Sequence, residues 1–454
     1  MNKIETHQPR TEALPVTRLL ARFAGGAIDE VAAKEARQVV CLSLLDWIAV
    51  AVAGAEEPVS QIVRTFVEGD GGTPEATVIG LNTKLPARAA ALSNGATSHA
   101  LDYDDTHFLH LGHPTVAVVP AALALAEKRG APGRAVLDAV LIGVETACRV
   151  GEWLGRGHYQ HGFHQTATSG SFGAAAAGAR LLGLDEDRTA HALGLAATKA
   201  SGLKSQFGTM GKPYHAGLAA ANGVEAALLA EAGFVSRPDG LECEQGFGLT
   251  HAGEGQDGAL ALGELGRTFV FTDVQHKFHA CCHGTHAPLE ALVSARDEHG
   301  VAPEDVAAVE LTVNPRLLRV CNIEAPATGL EAKFSFRLTA AMALCGHDTA
   351  ALASFTDEMC QDPQLVALRD KVRVATDDTL PESAARVFIE RNNAGAVTVC
   401  RDICDPLPLA EREAKVRAKG AGLLGADRAE RCWQRIQDLT SANAPLDVHH
   451  LAEL

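Results

Sequence analysis

The hydrophobic pattern divides the chain in two. From about residue 12 to 272, apolar positions recur at helical spacing in a sequence rich in Ala, Leu and Gly. The stretch QVVCLSLLDWIAVAVAG is apolar on nearly every face, which predicts a helix buried on most sides, with Gly54 as its C-terminal stop. Further helices are predicted over 86–100, 115–129, 134–155, 168–182, 187–200, 215–232 and 259–266. Glycine and Asp/Pro turns separate them, at 183–185, 233–234 and 252–258. No alternating strand intervenes, so this part reads as all-helical.

After about 272 the period changes. Residues 307–314 alternate apolar and polar, and so do 386–400, where VFIE and AVTVC flank an Asn-rich turn and predict a hairpin. Helical segments are predicted around 283–298, 333–346, 349–355 and 363–371, and again after 405 in LAEREAKVRAKGAGLL and DRAERCWQRIQDL. The predicted class is mostly α, a large all-helical domain with a smaller α+β domain. The pattern leaves open which of the two takes the C-terminal helices.

Composition adds limits. With 454 residues and 47% hydrophobic positions, the chain can bury a large core without metals or disulfides. A formal net charge of −16 disfavours nucleic acid or an anionic membrane as partner, yet leaves room for a small anionic ligand in a locally positive pocket. No run of apolar residues is long enough to span a bilayer, and the first twenty residues are polar without a signal-peptide core. A cytoplasmic location is expected. The 11 cysteines show no paired CxxC spacing and read as free thiols in a reducing compartment.

Histidine is distributed unevenly: nine of the 19 lie between His99 and His215, and four between His276 and His286. Four blocks hold the chemistry. In 98–127, Asp102, Asp104, Asp105 and Thr106 stand among His99, His107, His110 and His113. Carboxylates beside imidazoles suit general acid–base work, and His113-Pro114 opens a helix whose amides favour an anion. The bland alternative is an Asp-rich cap on a solvated loop. In 155–185, His158, Tyr159, His161 and His164 precede TATSGSFGAAAA, whose small residues admit a ligand or a closely packed helix. In 207–234, Lys212 sits in a Gly/Pro-framed turn as a candidate fixed cation, with His215 either lining a pocket or packing in the core. In 276–292, Lys277 supplies a second cation. His279, Cys282, His283 and His286 have a spacing that would also suit zinc on a helix, although Pro288 argues for a late helix start. A disulfide between adjacent Cys281 and Cys282 would be strained.

Taken in order, NGATSHALDYDDTH…GHPTVAVVPAALALAE, GFHQTATSGSFGAAAAGARLLGLD, FGTMGKPYHAGLAAANGVEAALLAEAGF, KFHACCHGTHAPLEAL and EAKFSF resemble the MmgE/PrpD family. That family includes 2-methylcitrate dehydratase, cis-aconitate decarboxylase and iminodisuccinate epimerase. The resemblance implies a helical domain of residues 1–274 and 403–454 with an α+β lid at 275–402. It also implies a homodimer, no metal or organic cofactor, and a small di- or tricarboxylate as substrate. Carried over by position, His113, His164, Asp102 and Tyr159 become candidate catalytic groups. Lys212, Lys277, Thr106, Cys282 and His99 become candidate substrate contacts. A histidine of the decarboxylase-like members falls at Cys282, and the Thr106–His113 spacing is one residue longer than theirs. Both features resemble the dehydratase and epimerase branches, as GRGHYQHGFH resembles the epimerase segment. The expectation is a 2-methylcitrate dehydratase-like hydro-lyase, with an epimerase of an amino dicarboxylate, or a polycarboxylate-binding protein, as alternatives.

Overall fold

The structure, a computed structural model, describes residues 14–252 and 256–454. The polar N-terminus and part of the 252–258 turn lie outside the described residues. The chain is 58% helical and 10% strand, mostly α with a small mixed sheet in its C-terminal part. It divides into two compact units. Among the described residues, unit 1 holds those up to Ala100, those from Thr106 to Val274 and Gln434–Leu454; unit 2 holds Leu101–Asp105 and Gln275–Trp433. The boundary thus falls later in the chain than residue 402, and a five-residue excursion at the Asp-rich block belongs to unit 2.

Unit 1 is built around helices α1 (Ala33–Ala53), α2 (Ala87–Ser98), α3 (Thr115–Arg129), α4 (Gly133–His161), α5 (Gln165–Leu181) and α6 (Gly211–Glu231). Among the described residues α1 is the one helix long and apolar enough to cross a membrane, and it is buried in this unit instead. The small-residue runs work mainly as packing surfaces. A β-carbon at Gly173 of α5 would come 2.5 Å from the Gly143 carbonyl oxygen of α4, and one at Gly217 of α6 would come 2.2 Å from the Leu92 carbonyl oxygen of α2. The helices therefore approach backbone to backbone, and any larger residue there forces them apart. Gly155, at φ +67°, breaks the helical path of α4 where the predicted helix ends.

One buried charge network ties α4 to the segment leading into the fourth block. Arg149 donates to Glu145 Oε1 at 2.7 Å and to the carbonyls of Ala261, Gly263 and Thr268 at 2.8, 2.7 and 2.9 Å. Glu145 also accepts from the Val270 and Phe271 amides at 3.1 and 3.0 Å. Both ions are satisfied, the condition under which a buried pair is tolerated.

Unit 2 contains α7 (His286–Asp297), α8 (Phe336–Leu344) and α9 (Leu409–Leu424) against a sheet of β1 (Val306–Val313), β2 (Val372–Thr376), β3 (Ala384–Arg391) and β4 (Val397–Asp402). The strand order is β2-β1-β3-β4. The predicted hairpin forms β3 and β4, antiparallel with Val387 opposite Val399 and Ile389 opposite Val397. Strand β2, parallel to β1, was not expected. It starts soon after the helix Pro363–Arg369 and its partner is remote in sequence, so local pattern marks it weakly. The helix expected over 349–355 reduces to one 3₁₀ turn, Leu352–Ser354.

Candidate active site

Three helix N-termini of unit 1 carry the candidate groups. His113 and Pro114 precede α3, His164 is the N-cap of α5, and Lys212 and His215 occupy the first turns of α6. His99 is the C-cap of α2. Amides left unsatisfied at helix N-termini, together with a lysine, give this region the electrostatics of an anion site.

The imidazoles of this set lie together and are buried. The His99 ring meets His113 edge-on with centroids 4.5 Å apart and stacks towards His164 at 6.0 Å. His164 Nδ1 lies 3.1 Å from His215 Nδ1, a hydrogen bond in which the two rings share one proton. Phe207 closes edge-on against His164 at 4.9 Å, and the Lys212 ammonium sits 5.4 Å from the Phe207 centroid. The His113 amide donates to Thr166 Oγ1 at 3.0 Å, which anchors it to the first turn of α5. Burial first, then the neighbouring His99, Lys212, His113 and His215, hold His164 well below the ordinary imidazole range. It is a neutral imidazole in the free enzyme.

The other histidines of the first two blocks are structural. His107 Nε2 donates to the Val270 carbonyl at 2.7 Å, and His110 Nδ1 donates to the Ala147 carbonyl at 3.1 Å. Burial, ahead of the nearby His107, pushes His110 down to about 3. His158 bonds Thr168 Oγ1 through Nε2 at 2.9 Å and the His251 carbonyl through Nδ1 at 3.0 Å. Tyr159 lies in the last turn of α4, where the Lys204 ammonium stands 3.5 Å over its ring in a cation–π contact. Thr106 opens the return of the chain to unit 1, next to the His107–Gly112 bridge.

Unit 2 gathers the remaining candidates. Buried Lys277 donates to the Asp102 carbonyl at 2.5 Å and to Asp102 Oδ1 at 3.1 Å. This double contact holds Asp102 at φ +49°, a left-handed conformation uncommon for a residue with a side chain. Burial opposes the Lys277 charge, but Asp102, Asp104 and Cys282 outweigh it and raise the ammonium above its usual range. The neighbouring Cys321, and after it the Lys277 cation, lower the Cys282 thiol against the opposing effect of burial; Cys321 is raised in turn. Nothing in the motifs marked Cys321, a single cysteine far along the chain.

The spacing that suggested zinc serves other ends. His279 Nδ1 bonds Thr349 Oγ1 at 2.7 Å and its Nε2 faces Glu290 Oε1 at 3.4 Å, while His286 stands edge-on to both His279 and His283.

The family models for the MmgE/PrpD N-terminal and C-terminal domains match residues 18–257 and 279–438. A cis-aconitate decarboxylase of Aspergillus terreus is 28% identical over 450 residues, 90% of each chain. The human cis-aconitate decarboxylase is 28% identical over 417 residues, 87% of this chain and 86% of its own. A cis-aconitate decarboxylase-like protein of Aspergillus oryzae is 34% identical over 264 residues, 55% of each chain. With both domain models matched in order across nearly its whole length, the chain belongs to the MmgE/PrpD family.

Proposed function

We propose that this protein is a lyase that acts on a small di- or tricarboxylate by moving a proton at a carbon next to a carboxylate, with no organic cofactor. Membership of the family and the decarboxylase relatives support lyase chemistry. The observation that carries the reading is the buried His99–His113–His164–His215 set beside Lys212, at three helix N-termini and the C-terminus of α2.

The chemistry follows from those atoms. Helix amides and Lys212 hold a substrate carboxylate and offset the charge that develops on it as the adjacent C–H bond breaks. His164 is neutral in the free enzyme and so is present as a base. The incoming anion raises its proton affinity, which makes it more effective once substrate is bound. His215 shares a proton with His164 Nδ1, so the tautomers of the two rings are coupled. His113, across the set, is the group that returns a proton to a leaving hydroxyl.

Cys282 in place of the decarboxylase-type histidine favours dehydration of a 2-methylcitrate-like substrate. The names of the relatives favour a second reading, decarboxylation of cis-aconitate, in which C–C cleavage replaces loss of hydroxide and the same imidazoles protonate carbon. A homodimer in the cytoplasm is part of the proposal.

A screen of 2-methylcitrate, citrate, cis-aconitate and iminodisuccinate, followed by alkene absorbance, NMR and CO₂ release, tests it. Alkene without CO₂ from a hydroxy acid supports dehydration, and CO₂ from cis-aconitate supports the second reading. Exchange of the α-proton of iminodisuccinate in D₂O without alkene or CO₂ makes the protein an epimerase and overturns the lyase. Binding without turnover of any of the four also overturns it.

A further inference from the structure

We propose that Cys282 and Cys321 form a peroxide-reactive dithiol, in which Cys282 is the attacking sulfur and Cys321 resolves it to a disulfide within the chain. The inference does not depend on which lyase reaction the protein performs.

The two cysteines are 39 residues apart in sequence but flank one short segment. The Cys282 amide donates to the Lys333 carbonyl at 3.0 Å, the Ile323 amide donates to the Phe334 carbonyl at 3.1 Å, and Asn322 bridges to Ser335. The helix Leu318–Cys321 is thereby held beside the His283–Thr285 turn. A β-carbon at Gly284 would sit 3.0 Å from Cys321 Sγ, so the absence of a side chain there lets that sulfur come in beside Cys282. The Cys321 sulfur is thereby a neighbour of Cys282, with the Lys277 ammonium the nearby cation.

These contacts assign the roles. Cys282 is half-buried, whereas Cys321 is fully buried, so an oxidant meets Cys282 first. A nearby ammonium stabilises a thiolate, the form that reacts with peroxides. Adjacent Cys281 is no competitor: it is buried, pushed up to about 12 chiefly by that burial, and engaged with Thr285 Oγ1 at 3.0 Å.

The steps balance. The Cys282 thiolate attacks one oxygen of a hydroperoxide; an S–O bond forms and the O–O bond breaks. The departing oxygen takes a proton from solvent, and sulfur is oxidised by two electrons. Cys321 sulfur then attacks the sulfenic sulfur; an S–S bond forms, the S–O bond breaks, and the thiol proton leaves with the hydroxide as water. The sum is two thiols and a hydroperoxide giving a disulfide, an alcohol and water, or two waters when the oxidant is hydrogen peroxide.

The experiment uses the full chain carrying Cys400→Ser and Cys404→Ser, which removes the two exposed thiols. After treatment with hydrogen peroxide, intact mass and non-reducing peptide maps are expected to show loss of two hydrogens and a Cys282–Cys321 crosslink. With Cys321→Ser added, dimedone is expected to trap a sulfenic acid at Cys282; with Cys282→Ser added, both products vanish. Iodoacetamide should alkylate Cys282 with a pH midpoint below the ~8.5 of a free cysteine, and Lys277→Met should move it upward. The proposal falls if Cys282 and Cys321 stay reduced at peroxide levels that oxidise Cys400 in the unsubstituted chain. It also falls if Cys282 crosslinks to a different cysteine. Because the crosslink is mapped with both residues intact, a misfolded Cys321→Ser variant leaves the decision unaffected.

Discussion

The His164–His215 contact makes a prediction that separates a base from the residue that positions it. At 3.1 Å between Nδ1 atoms, one ring donates and the other accepts. If His215 donates, His164 carries its own proton on Nε2; if His164 donates, its Nε2 is bare and basic. The hydrogen bond therefore couples the tautomer of His164 to that of His215. Its net worth is about 1 kcal/mol, a bias of about five-fold towards the paired tautomers over unpaired ones. His215→Phe removes the bias and leaves the ring of His164 in place, so kcat should fall about five- to ten-fold with little change in KM. Removing the base is a larger loss: a positioned acid or base contributes about 10² to 10⁴ in rate, so His164→Asn should fall by that much. The two residues act on one proton, so the double variant should be no slower than His164→Asn alone. Steady-state kinetics on whichever substrate the screen identifies supplies the four values. Multiplicative losses in the double variant would show that the residues act independently and refute the shared-proton argument.

Three further outcomes follow from the same geometry. Lys212→Met deletes a charge-assisted contact worth about 1.5–3 kcal/mol, so KM should rise roughly ten- to hundred-fold while Lys212→Arg retains part of the affinity; isothermal titration with a non-reacting tricarboxylate checks it. Since His164 is held well below 6.5 in the free enzyme, kcat/KM should stay high through pH 6.5 and fall only as pH drops through that lowered value, whereas the acid limb of kcat should lie at higher pH because bound anion raises it; coincident limbs in a pH–rate series would contradict this. Arg149→Met leaves Glu145 without its counter-ion and should destabilise unit 1 by about 3–5 kcal/mol in denaturant unfolding, while Glu145→Leu combined with Arg149→Met should recover much of the loss.

Helical periodicity made unit 1 legible because its helices are long and their buried faces repeat. Strand β2 was missed because five residues after a helix carry little pattern until their parallel partner is known. The site divides the same way. His99, His113, His164 and Lys212 were legible as dense polar groups at predicted helix ends, and the structure brings them together. His107 and His110 stood in the same block and looked equally chemical. Only their partners, the carbonyls of Val270 and Ala147, reveal that they hold a loop. Tyr159 was singled out by the company it keeps in sequence, and beyond the break of α4 at Gly155 its ring meets Lys204, a contact no motif signalled.

Cys321 shows the limit from the other side. A lone cysteine carries no spacing signal, and its meaning arises from two tertiary facts: the segment 333–335 bonded on both sides, and a glycine whose missing side chain makes room for a sulfur. Residues whose chemistry depends on local order can be read from sequence. Those whose proton affinity depends on a neighbour from a distant segment cannot, and both His164 and Cys282 are of this second kind. His164 was legible as a histidine but not as a neutral one, since that state is imposed by burial and by His99, Lys212, His113 and His215 together. Cys282 was legible as a departure from the decarboxylase pattern but not as a thiol of lowered proton affinity, since Cys321 and Lys277 act on it from outside its own motif. The substitution at Cys282 therefore does more than remove an imidazole from the position. It puts there a thiol that the neighbouring cation pushes towards its anion, where the same cation would push an imidazole towards its neutral form.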